Sequence, residues 1–173
     1  MEEMGNNLWQ YRTAIHEAAH VAVRYIMFGN IDIVKSVSVG ETSRSIGRVT
    51  EDIEAKYEEY MDAMEEPLYL VGGFAFKECC YSLAGCVADM IFDGLQEIPF
   101  TNSYDDFLSF EEFIGLSTNQ REEYIKIATP ETMKIVKDNL QSIKQLAAAI
   151  IAAPGMELSN DSLNEILPNL FRA

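Results

Sequence analysis

Only two histidines and three cysteines occur in the 173 residues. Cys79 and Cys80 are adjacent, Cys86 makes the count odd, and no CxxC pair is present. That is no disulfide framework; it predicts buried free thiols in a reducing compartment. Basic residues are also short, 13 against 28 acidic for a net charge of −15. With no Lys/Arg cluster, the chain lacks the basic patch that nucleic acid or an anionic membrane requires. Long apolar runs are missing too. The longest, Leu146 to Pro154, is about half of what a spanning helix needs. The N-terminus MEEMGNNLWQYR has no cationic stretch leading into an apolar one, so it does not read as a secretory signal. Together these absences predict a soluble, cytoplasmic protein with neither nucleic acid nor membrane as partner.

What is present is globular. Hydrophobic residues make up 48% and aromatics 10%, too apolar for a disordered chain despite the charge. The length suits one domain spanning residues 1–173. Ile15, Ala19, Ala22, Val23 and Ile26 recur at spacings of three and four, predicting a helix over Asn7–Phe28 that Gly29-Asn30 closes. The β-branched stretch Ile31–Val39 reads as a strand. Ile46–Thr50 reads as its returning partner in a hairpin across the turn-rich segment 40–45. The acidic segment Glu51–Glu66 is a solvated helix or ordered insertion. A buried helix is expected over Tyr81–Phe92, and Thr101-Asn-Ser103 offers N-cap side chains to another from Tyr104. A short helix over Arg121–Ile127, a long one from Pro130 to Ala153 and a last one from Asn160 to Leu167 complete the pattern. The fold class is mostly α (α+β), with C-terminal helices over about 104–167 and a small hairpin beside the first helix.

Both histidines sit in that first helix, as Ala-Ile-His16-Glu17-Ala-Ala-His20-Val-Ala-Val, an HExxH motif. Residues four apart lie one turn apart on the same face, so both imidazoles can reach one metal ion. Glu17 follows the first ligand and can accept the proton of a metal-activated water as it attacks a carbonyl. Two histidines placed at random fall four apart in about 1 arrangement in 100, and the Glu makes the coincidence rarer still. Small Ala18 and Ala19 between the ligands, with Ile15, Val21 and Val23 beside them, suit a buried metal helix rather than an exposed surface pair. A catalytic zinc takes three protein ligands and an open fourth position. With no third histidine, the remaining ligand is a carboxylate or a cysteine. Val23 and Ile26 stand where HExxHxxGxxH would need glycine and histidine. Asp89 and Glu97 are further carboxylates that could orient a histidine, although a solvated surface position suits each better. Cys86 reads as a small buried residue, and Phe107, Phe110 and Phe113 read as core.

The segment Thr13–Val23 resembles the HEAGHAVV helix of the FtsH-type ATP-dependent zinc metallopeptidases. Val34–Gly40 and Ser45–Thr50 are similar to that family's following strand pair, and Tyr81–Gly94 to its ALGGRAAEEIVFG helix. Asn102-Ser-Tyr-Asp-Asp-Phe107 stands where the family has GASNDL, and the stretch ending Leu158–Leu167 is similar to the close of its helical peptidase domain. The resemblance implies an FtsH-peptidase-like helical fold. It implies zinc held by His16, His20 and, from the Asp of the last motif, Asp106, with Asp105 competing for that role. It also implies Glu17 as general base in an endopeptidase acting on peptide or unfolded protein. Peptide would add as an extra strand to an open edge of the strand Lys35–Val39, beside the metal.

The sequence also departs from the family. Ala19 replaces the motif's usual glycine, and the GGR arginine is missing around Gly85. The last motif lacks its glycine and asparagine. There is no GxxxxGK[ST] phosphate loop, so the resemblance covers the peptidase module alone and implies a separate ATPase or adaptor partner. The other reading of the same features is a proteolytically silent, metal-binding regulator or adaptor on this fold.

Overall fold

The structure is a computed structural model that describes residues 2–40, 47–63, 66, 70–97 and 117–171, with side chains from Leu8 onward. It is mostly helical, with a small antiparallel sheet. In order along the chain come α1 (Glu2–Phe28), β1 (Val34–Ser38), β2 (Arg48–Glu51), α2 (Ile53–Asp62) and α3 (Phe74–Asp93). They are followed by α4 (Thr118–Asp138), α5 (Leu140–Ala152), β3 (Glu157–Ser159) and α6 (Asn160–Leu170).

Helices α1 and α3 form the centre of the molecule. Ala14, Ala18 and Ala22 on α1 and Ala84 and Ala88 on α3 are fully buried. Such small side chains let two helices approach closely while larger neighbours fill the flanks. Helix α4 packs on the far side of α3, and α5 packs on α1. On α5, Ile143, Leu146, Ala147 and Ile150 are buried at three- and four-residue spacing. That apolar stripe explains why α5 seats against α1.

Several expected elements shift. Helix α3 begins at Phe74, seven residues ahead of Tyr81, because Phe74, Phe76 and Cys79 already face the core. Pro130 starts no helix: α4 runs continuously through it. Proline removes one backbone donor from a helix interior, and α4 carries it with Tyr124, Ala128 and Val136 buried on either side. The interruption falls instead at Asn139, whose φ of −111° is not helical and whose side chain donates to the Ile135 carbonyl at 2.9 Å. The helix expected from Tyr104 lies outside the described residues.

The sheet order is β2-β1-β3. Val37 pairs with Val49 on one side and Leu158 on the other. Strand β1 is therefore the middle strand and has no open edge, contrary to the expectation for Lys35–Val39. The three-residue strand β3 fills the position that expectation left vacant. The hairpin itself, β1 with β2, forms as predicted.

Candidate metal centre

Helix α1 carries Arg12, His16, His20 and Arg24 at successive four-residue intervals, a single stripe along one face. Each meets a partner on antiparallel α3. Arg12 Nη2 lies 2.6 Å from Asp93 Oδ2. His16 Nδ1 donates to Asp89 Oδ2 at 3.0 Å. His20 Nδ1 donates to the Tyr81 carbonyl at 2.7 Å. Arg24 Nη1 donates to Glu78 Oε1 at 3.3 Å. The two helices thus share a polar seam inside an otherwise apolar interface, and the histidines occupy its middle.

The hydrogen bonds fix the tautomers. A backbone carbonyl can only accept, and so can a carboxylate, so both Nδ1 atoms carry the proton. In the neutral rings both Nε2 atoms then present lone pairs, and those atoms face each other at 3.3 Å. Two lone pairs in that position repel unless a cation lies between them. A tetrahedral zinc with Zn–N bonds of about 2.05 Å would set its ligand nitrogens about 3.3 Å apart. The pair therefore fits a shared metal ion, with each ring already oriented through its other nitrogen.

Glu17 follows His16 on the same helix and is buried, 6% exposed. The chain entering β2 passes directly over it. A Cβ built on Gly47 would lie 2.5 Å from Thr13 Cγ2 and 3.1 Å from Glu17 Oε1, so glycine lets the backbone pass this close to both side chains. Gly85 plays the matching role from the other side, since a Cβ there would overlap the His16 ring. Two glycines thus clear space at Glu17 and at His16.

Asp89 is buried, 4% exposed, where the sequence favours a solvated position for it. It bonds His16 through Oδ2 and faces Arg12 Nε across 3.7 Å through Oδ1. Glu97 is exposed. Cys86 is buried on α3, next to Gly85. The Tyr81 carbonyl and Gly47 carry no sequence signal as site residues. Asp89 lies one turn beyond Gly85 and two beyond Tyr81 on α3, and only the packing of that helix against α1 brings it to His16. Asp105, Asp106, Phe107, Phe110 and Phe113 lie outside the described residues. Among the described residues, no group of three or more His, Cys, Asp and Glu side chains is placed to hold a metal ion.

At the far end of the seam lies a second charged cluster. Arg24 is fully buried, with both carboxylate oxygens of Glu59 within 2.7 Å of its Nη2 and its guanidinium stacked 3.7 Å over Phe28. Lys56 Nζ sits 3.0 Å from Glu78 Oε2 and 3.0 Å from Glu51 Oε2. Burial pushes the Glu78 carboxyl above its usual range, against the pull of Lys56 and Arg24. Burial alone would lower Lys56, but Glu78 and Glu51 outweigh it and hold the ammonium above its ordinary value. Burial, then Glu51, raises the Tyr81 phenol well above its ordinary value.

Compared with protein-family models and with curated proteins, the chain has no match. No helix among the described residues is long and apolar enough to cross a membrane.

Proposed function

We propose that the chain is a zinc-dependent metalloendopeptidase of the FtsH-like kind. His16, His20 and Asp106 hold the metal and Glu17 is the general base. The observation that carries this reading is the pair of Nε2 atoms converging to 3.3 Å, each ring held through its Nδ1, with Glu17, the next residue after His16, buried. Zinc, when bound, supplies a Lewis acid that lowers the pKa of water and polarises a carbonyl. The chain's own residues do the rest. Asp89 and the Tyr81 carbonyl keep both imidazoles in the tautomer that places the lone pair on Nε2, the atom that would ligate. Glu17, one residue beyond the first ligand, takes the proton of the attacking water and returns it to the departing amine.

Substrate would approach along β2, the strand whose entry covers Glu17. Among the described residues, only β1 pairs with β2, so its outer edge can accept an extended peptide by backbone hydrogen bonds. This edge replaces that of β1 as the substrate rail. A compartment consistent with free buried thiols is the cytoplasm.

Glu17→Gln tests the reading. The variant should retain about one zinc per chain and lose chelator-sensitive cleavage of unfolded casein. Wild-type activity in Glu17→Gln would sink the mechanism. Zinc in the wild type without any cleavage would leave a silent metal-binding scaffold. Asp106→Ala with undiminished zinc affinity would move the third ligand elsewhere, Asp105 first.

A further inference from the structure

Helix α2 is built inside out. Its inward side is charged: Lys56 and Glu59 reach the buried Glu78 and Arg24, and no residue of the helix is fully buried. Its outward side is apolar. Ile53, Tyr57 and Met61, at four-residue spacing, are 77%, 55% and 45% exposed. Beside them, displaced by one residue, Glu54, Glu58 and Asp62 form a parallel acidic row, also exposed. Lys56 is the helix's one basic residue and points inward, so nothing on the helix itself offsets that row. At the C-terminal end the Tyr60 ring meets Phe74 at 6.0 Å, and the turn leading into Phe74 exposes Leu70 and Val71 as well.

Each row is unfavourable in the isolated chain. The apolar one leaves hydrophobic surface in water, and the acidic one stacks like charges one turn apart, where they repel. The ion pairs on the inner side hold the helix in this orientation, so it cannot roll its apolar row inward without breaking them. We propose that the outer face of α2 is a docking surface for a cationic amphipathic helix of a partner protein. Its apolar stripe would cover Ile53, Tyr57 and Met61, and its Lys/Arg edge would lie along Glu54, Glu58 and Asp62.

Charge selects this occupant over the others. A second copy would bring an identical acidic row and a net charge of −15 against the first, and an anionic lipid surface would repel it equally. The ten residues of α2 span about 15 Å, which a partner helix of about three turns matches. Because α2 follows directly on β2, the docked partner sits next to the strand that covers Glu17. The proposal stands on the surface of α2 and not on the metal reading.

The test uses the whole chain with a chelator present to silence cleavage. The probe is a fluorescein-labelled synthetic amphipathic helix of about five turns, leucine on one face and lysine and arginine along its edge. Anisotropy should show saturable binding that weakens on raising salt from about 50 mM to about 300 mM. Tyr57→Ser and Glu58→Lys should each weaken it at least about tenfold, while Glu122→Lys on the exposed side of α4 should leave it unchanged. Equal binding by Tyr57→Ser and wild type, equal weakening by Glu122→Lys, or no saturable binding would overturn the proposal. So would a wild-type dimer that Tyr57→Ser converts to a monomer, since the occupant would then be a second copy. Zinc content and Glu17-dependent cleavage should not change in Tyr57→Ser or Glu58→Lys, so failure here and failure of the peptidase reading are separately visible.

Discussion

Asp89 and Gly85 act on the same imidazole in different ways, and substitution separates them. Asp89 fixes the His16 tautomer through one oxygen and faces Arg12 with the other. Removing the carboxylate in Asp89→Ala frees the ring to rotate and to protonate at Nε2, which cannot then ligate. Zinc affinity should fall about 10–100-fold, the range for lost orienting partners of metal-bound histidines. Competition with a chromophoric chelator measures it, and an unchanged affinity would show that α1 alone orients His16. Gly85→Ala instead adds a methyl group inside the space of the His16 ring. Either the ring leaves or α3 shifts, and overpacking of this kind costs about 1–3 kcal/mol. Urea unfolding should therefore show Gly85→Ala destabilised even without metal. Asp89→Ala should show most of its defect in zinc binding.

At the scale of elements, the α1–α3 pair carries the candidate site, and much of that pair is legible in the sequence. The four-residue rhythm Arg12, His16, His20, Arg24 is visible directly, and so is the small-residue stretch of α3. What those side chains meet is not visible, because the antiparallel register of two helices is set by packing over their whole length. Asp89 could not be told from a surface acid for that reason. Strand β3 was beyond reach too: three residues are too few to show alternation, and only pairing with β1 makes them a strand. Pro130 misleads because its local signal is strong, while buried Tyr124, Ala128 and Val136 hold the helix together across it. Arg24 ties three helices together. It is fully buried, its Nε has no hydrogen-bond partner among the described residues, and its other nitrogens join Glu78 on α3 to Glu59 on α2. Arg24→Leu would leave Glu78 buried with Lys56 as its one remaining cation among the described residues. The expected cost is about 3 kcal/mol in urea unfolding, near the lower end for breaking a buried pair. Adding Glu78→Leu should recover much of that loss, since an apolar pair needs no desolvation of charge. A double variant no more stable than Arg24→Leu would mean that the network organises α2 as well as neutralising Glu78.

Across the whole molecule, the acidic surplus and the two-histidine motif are properties of composition, whereas stability against pH depends on what the fold buries. The three cysteines are all buried. Burial pushes Cys80 up from 9.0 to about 11 and Cys79 well above its ordinary value. Burial raises the Tyr81 phenol as well, and Lys56 is held above 10.5 by Glu78 and Glu51 despite its own burial. All four shifts act in one direction. In the unfolded chain the thiols ionise near pH 9 and the phenol near pH 10, while the folded chain keeps those protons. The unfolded state then binds fewer protons than the native state, so the free energy of unfolding falls as pH rises. For Lys56 the paired ammonium contributes fully below 10.5, and that contribution is lost as pH passes through the higher folded value. Cys80 alone, shifted by two units, accounts for a loss of roughly 3 kcal/mol between pH 9 and 11. Urea midpoints should therefore hold steady to about pH 8 and decline steeply above about pH 9. In Cys80→Ala the starting stability should be lower, because a buried group has been removed, but the alkaline decline should be shallower. Identical slopes in the two proteins would mean that the Cys80 thiol reaches water in the native state and that the alkaline loss comes from the charge network around Glu78.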